Sequence, residues 1–74
     1  MARTSETVFY ESSTISSSQY EHDKNVLLVI FKSGSTYVYK NVDYMNYEKF
    51  ASAESQGKAL NEFIKPNYEY ALLS

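Results

Sequence analysis

The 74-residue sequence predicts an α+β domain, a three-stranded antiparallel β-meander packed against two short C-terminal helices. Three observations carry this. The run Val26–Phe31 is an unbroken β-branched and aromatic segment of strand length. Thr36–Tyr39 returns after the turn residues Ser33 and Gly34 with period-two alternation, which sets Tyr37 and Tyr39 on one face and Val38 on the other. After Val42 the apolar period changes from two to about 3.6, with Tyr44, Tyr47 and Phe50 at helical spacing.

Taken in order, residues 1–7 are polar and read as a disordered N-terminal tail, and residues 8–74 as a single domain. Val8, Phe9 and Tyr10 read as a short edge strand or docking segment. Residues 12–20 are serine-rich, yet Ile15 and Tyr20 mark them as the first strand of the meander, because the next run needs a pairing partner. Residues 21–25 are a turn by composition. The continuity of the Val26–Phe31 run predicts a central strand covered on both faces.

Residues 44–52 form the first predicted helix, with Asp43 as N-cap, a side-chain acceptor that contributes ~1 kcal/mol. The second predicted helix runs over residues 56–64. Ser55 stands at its cap, Leu60, Phe63 and Ile64 give an apolar stripe, and Lys65 and Pro66 end it. Residues 67–74 read as a tail whose Tyr68, Tyr70, Leu72 and Leu73 are available for packing or a partner.

Composition limits the function classes. A chain this short buries only about 60% of its unfolded surface. The absence of cysteine removes disulfides and thiolate metal sites as reinforcement. Stability must then come from the eight tyrosines and four phenylalanines, and self-association into a homo-oligomer is an expected further source. A formal charge of -2 argues against non-specific duplex DNA binding, which needs a large positive excess. No apolar run approaches the ~20 residues of a membrane span, and residues 1–7 lack a secretory core, so a cytoplasmic protein is expected.

The best candidate site is the predicted helix start Ser55, Gln56, Gly57 and Lys58. Helix starts present unpaired N–H groups to anions; Ser55 adds a hydroxyl, Gly57 allows close approach and Lys58 brings full charge. The dipole contributes only about 0.3–1 kcal/mol when exposed, so Lys58 and further groups are required. Asn61 and Lys65 follow at three and seven residues, on the same helix face. Tyr37 and Tyr39 offer a stacking platform, where an aromatic contributes about 1–3 kcal/mol per base. Each feature also has a plain structural reading: a capped helix with a close-packed glycine, tyrosines under the helices, a solvated polar face. The serines near residues 12–18 have no sequence-adjacent base to activate them. Glu21, His22 and Asp23 read as a solvated turn rather than a metal site, and no catalytic residue is assigned.

Several of these residues recur together in one family. Ser12 and Ser13 before a strand, Tyr20 before a turn, Gly34, Tyr37 and Tyr39, Asn41 and Val42, then Ala53, Ser55, Gly57, Lys58, Asn61, Ile64 and Tyr68 resemble the KTSC domain. That family is named for a C-terminal extension of some lysyl-tRNA synthetases, and the likeness extends over residues 12–70. Two positions depart from the pattern. Asp43 stands where a proline usually follows the Asn-Val pair, and Leu60 where an aromatic usually precedes the asparagine. Similar proteins occur as free-standing bacterial and phage proteins, and the synthetase link implies RNA binding by analogy. The expectation is a non-catalytic binder, without cofactor, of a phosphate-bearing ligand. That ligand would be a short single-stranded RNA or a small or cyclic nucleotide, as in a phage protein that sequesters a nucleotide. The alternative is a protein-interaction module, such as a phage accessory protein that docks on a host protein through Tyr68, Tyr70, Leu72 and Leu73.

Overall fold

The computed structural model describes residues 5–73. Five strands, β1 (Ser5–Phe9), β2 (Ile15–Glu21), β3 (Val26–Phe31), β4 (Thr36–Tyr39) and β5 (Tyr70–Leu72), form one antiparallel sheet in chain order. Helix α1 (Tyr44–Ala51) and helix α2 (Gln56–Ala59), which continues into a π-helical turn at Leu60–Ile64, lie between β4 and β5 in the chain. The α+β class stands, with five strands where three were expected. The expected N-terminal tail lies outside the described residues at 1–4, while residues 5–7 belong to β1. Both additional strands are edge strands. The expected edge strand or docking segment at Val8, Phe9 and Tyr10 overlaps β1, which begins earlier at Ser5, and part of the expected tail is β5; both pair with the unpaired backbone groups that β2 and β4 present.

The strand starting at Ile15 solves a problem of parity. Ile15 and Tyr20 are five residues apart, so strict alternation would point them to opposite faces. The β2–β3 register shifts between Ile15 and Ser17, leaving Ser16 as an extra residue, and both side chains enter the core. Ser12 prepares this entry: its hydroxyl accepts from the N–H groups of Thr14 and Ile15 at 3.1 and 3.2 Å.

The register lines up Tyr20, Leu27 and Tyr39 in one row and Ser18, Val29 and Tyr37 in the next, both on the helix-facing side. Tyr47 and Phe50 of α1, then Leu60 and Ile64, close over these rows. Tyr20 and Tyr47 stack with ring centres 4.5 Å apart. The Tyr20 hydroxyl donates to the Val42 carbonyl at 2.7 Å and accepts from Asn25 Nδ2 at 3.1 Å. Asn25 and Asn41 both adopt positive φ, a conformation that asparagine tolerates better than most residues. Asp43 caps α1 by accepting from the Asn46 N–H at 3.1 Å, so the departure from proline leaves the helix start intact.

Only one sheet face is covered by the helices. Leu28 and Ile30 of β3 point to the other face and stay half-buried, so the described residues provide no second cover for the continuous run. No helix among the described residues is long and apolar enough to cross a membrane.

Replacing Tyr20 by phenylalanine keeps the stack but leaves the buried Val42 carbonyl without its donor. The expected loss is about 1–2 kcal/mol, read as a lower urea midpoint at unchanged slope.

Candidate functional site

The serine at the start of α2 is a working but loose cap. Ser55 Oγ accepts from the Lys58 N–H at 3.4 Å, longer than a strong bond of this kind. The helical ladder begins with the Ala59 N–H on the Ser55 carbonyl, so the N–H groups of Gln56 and Gly57 precede it. Buried Gln56 fixes this start to the end of α1, donating from Nε2 to the Ala53 carbonyl at 2.7 Å. Gly57 has an ordinary φ, and a Cβ there would meet Thr14 Oγ1 at 3.6 Å, an ordinary contact. Neither backbone conformation nor packing therefore requires a glycine at this position.

Beyond α2 the chain widens. The Lys65 N–H bonds to the Leu60 carbonyl at 2.7 Å, a five-residue step that shifts the register of the helical face expected from α-helical spacing. Asn67 Nδ2 donates to the Phe63 carbonyl at 2.9 Å, and Asn46 Nδ2 donates to the Tyr68 hydroxyl at 2.8 Å. These bonds return the chain to the sheet, where β5 pairs with β4 and Tyr70 lies opposite Tyr39.

An open groove of about 560 Å³ results between the β3–β5 side of the sheet and the α2 segment. Its helical wall carries Ser55, Gly57, Lys58, Leu60, Asn61 and Lys65. Its sheet wall carries Phe31, Tyr37, Tyr39 and Tyr70, and Thr14, Ser33 and Ser35 add hydroxyls. All seven residues singled out from the sequence, Tyr37, Tyr39, Ser55, Gly57, Lys58, Asn61 and Lys65, thus line one groove. Two lysines and no carboxylate are among the described residues that line it.

The aromatic wall differs from the expected tyrosine pair. Tyr39 is 2% exposed and belongs to the core, while Tyr37 is half-buried. The exposed ring is that of Tyr70, which sits 5.4 Å from Tyr39 and 5.9 Å from Tyr37, centre to centre. Phe31 packs edge-on against Tyr37 at 5.5 Å. The period-two spacing of Tyr68, Tyr70 and Leu72 was the signal that this segment is a strand and that Tyr70 shares a face with Tyr39. Thr14, Ser33 and Ser35 gave no such signal, since only the tertiary fold brings the loops before β2 and β4 to the groove.

The remaining candidates lie elsewhere. His22 is paired through Nε2 to Glu6 Oε2 at 2.9 Å, on the β1–β2 side. The described residues contain no group of three or more His, Cys, Asp or Glu placed to hold a metal ion. The C-terminal segment, expected as a tail, is tied to β4 by its backbone, although Leu72 and Leu73 remain 58% and 57% exposed.

Burial, with the neighbouring phenols of Tyr70 and Tyr37, pushes the Tyr39 ionisation up from 10 to about 12. The phenol therefore remains a hydrogen-bond donor at neutral pH. Its contribution to stability is complete below pH 10, where the unfolded chain begins to ionise, and is lost as pH rises through about 12. Denaturant midpoints measured across that window should fall with pH, and Tyr39→Phe should flatten the fall.

Comparison with known proteins agrees with this architecture. The KTSC domain profile matches residues 11–68. A protein of Tsukamurella paurometabola is 32% identical over 63 residues, which span 85% of this chain and 94% of that protein. The crystal structure of a KTSC domain protein from Yersinia pestis superposes with a TM-score of 0.84 at 28% identity, covering 95% of this chain and 99% of that one. With the family profile spanning most of its length, the chain belongs to the KTSC domain family.

Proposed function

We propose that this chain is a non-catalytic binding domain for a phosphate-bearing aromatic ligand of nucleotide type, held in the groove between α2 and the β3–β5 side of the sheet. The observation that carries the reading is the convergence of Lys58 and Lys65, without an opposing carboxylate, on a groove walled by Tyr37 and Tyr70. Cations complement the phosphate, and the tyrosine rings complement a base. Ser55 and Asn61 add polar partners, and the N–H groups ahead of the helical ladder add donors. A groove of about 560 Å³ lies within the range for small-molecule sites and suits one or two nucleotide units. Such a unit comes either from a small or cyclic nucleotide or from the end of a short single-stranded RNA. The single histidine is engaged with Glu6 and does not line the groove, which supports binding over catalysis.

A second reading, docking of a host protein on the C-terminal residues, draws on the exposure of Leu72 and Leu73. The backbone pairing of β5 weakens the version in which these residues form a free arm.

Amide NMR titration against mononucleotides, cyclic dinucleotides and short RNAs tests the proposal. Saturable shifts at residues 55–58, 61 and 70 are expected, and the tightest member of the panel identifies the source of the nucleotide unit. Lys58→Glu should lower affinity at least about ten-fold, since it replaces a charge-assisted contact by repulsion. Affinity unchanged by that substitution would end the proposal.

Gly57→Ala separates a binding role from a structural one. The folded domain should hold or gain stability, by up to ~1 kcal/mol from helix propensity. Ligand affinity should fall, because the added methyl occupies the groove side of the helix start. A destabilised domain with unchanged affinity would return Gly57 to a packing role.

A further inference from the structure

The sheet face turned away from the helices carries an apolar centre that the described residues leave uncovered. Val26, Leu28 and Ile30 of β3 lie along its midline, with Val38 of β4 beside Leu28. Phe9, 80% exposed, ends one edge of this face, and Leu73, whose N–H bonds to the Thr36 carbonyl, ends the other in the same cross-strand row. Charges are confined to the far row. There Glu21 lies opposite Val26, Lys40 continues β4 on the other side of Val26, and Glu69, whose carbonyl accepts from the Lys40 N–H, follows at the edge, so the row holds two carboxylates about one lysine.

We propose that this face pairs with the same face of a second copy of the chain, about a two-fold axis running along β3. Rotation about that axis exchanges β2 with β4 and β1 with β5 and keeps β3 over itself. Val26, Leu28 and Ile30 then meet their own counterparts. Phe9 of each copy covers Leu73 of the other, and Glu21 of each faces Lys40 of the other. The same rotation sets Gln19 of each copy against Val38 of the other, so complementarity rests on the β3 midline and on the Phe9–Leu73 and Glu21–Lys40 contacts, each made twice as a closed isologous interface requires. The present partner of Glu21 is Lys24 at 3.8 Å, an exposed pair too loose to hold it in place. Lys32 follows β3 in the exposed hairpin turn, outside these rows.

The size of the face fits the same occupant. Five strands about 4.8 Å apart and three outward rows about 6.8 Å apart give a footprint on the order of 500 Å². Two copies together reach roughly 1,000 Å², the lower bound of a specific interface, so the whole face is needed. Two twisted sheets stack in this aligned manner about 10 Å apart. The pairing also supplies the second cover that the continuous Val26–Phe31 run calls for.

Sedimentation equilibrium of the full chain tests the pairing. A mass of twice the 8.5 kDa chain is expected in the micromolar to millimolar range, and a monomer throughout would overturn it. Leu28→Lys places two like charges on the axis and should yield a monomer with an unchanged circular dichroism spectrum. A folded Leu28→Lys dimer would place the interface elsewhere and sink the proposal. If that variant does not fold, the charge exchange decides. Glu21→Lys and Lys40→Glu should each weaken dimerisation about ten-fold, from two lost pairs and two repulsions, and the double variant should restore it. Failure of the double variant to recover would overturn the two-fold axis along β3.

Discussion

The joint at Tyr20 fixes how the helical layer sits on the sheet. Its ring stacks on Tyr47 of α1, while its hydroxyl holds the Val42 carbonyl and receives the Asn25 amide. One side chain thereby connects β2, the turn before β3, the segment after β4 and the first helix. Where α1 lies decides where its end can meet Gln56, and the Gln56 amide decides where α2 begins. The groove inherits its helical wall from that sequence of contacts. A domain with so little buried surface depends on joints of this kind, because each connects elements that small cores hold weakly.

The groove is open for a second reason. The π-helical turn displaces Lys65 from an α-helical register, and the Asn46–Tyr68 bond brings the chain back to β4 before the helical segment can fold down over the sheet. Tyr70 is placed on the sheet wall instead of a longer helix filling the space. The aromatic floor is layered. Tyr39 lies beneath as core, Tyr37 is half-buried and Tyr70 is exposed, so the buried rings support the accessible one. Rigid support of this sort reduces the ordering that binding would otherwise require.

Much of this is legible in the sequence, and the exceptions share a cause. The bounds of β4, the Asp43 and Ser55 caps and the grouping of Lys58 with Asn61 follow from interactions within a few residues of sequence, whereas Lys65 reaches the groove after a π-helical turn that α-helical spacing does not give. Edge strands β1 and β5 follow only in part: Val8 and Phe9 read as an edge strand or docking segment, whereas Ser5–Thr7 read as tail and residues 67–74 as a tail. Ser5–Phe9 is mostly polar, and its strand character comes largely from the β2 ladder, whose register pairs Ser5 with Glu21 and Phe9 with Ser17. The bulge at Ser16 is hidden for the same reason, since its effect is visible only against Ile30 and Phe31 of β3. Tyr39 was read as a candidate stacking ring because a period of two fixes which face a side chain takes, but not how much of that face is covered.

The two sheet faces differ in kind, and the geometry keeps the groove apart from the uncovered apolar face. The groove is built on the face that meets α2, whereas Leu28 and Ile30 lie on the opposite one. A pair of chains joined back to back leaves both grooves and both helical layers outward, with only the two sheets between them. A nucleotide-sized ligand can therefore occupy one groove without touching the other copy. Coupling between the faces would have to pass through β3 and β4, whose alternate residues serve opposite sides: Val29 and Tyr37 the helices, Leu28 and Val38 the far face. A strand moves such side chains to the other face only by shifting its register, which carries every residue of the strand with it. Under the proposed pairing the β3 run would gain its second cover, and the groove residues Lys58, Lys65 and Tyr70 would lie outside the interface.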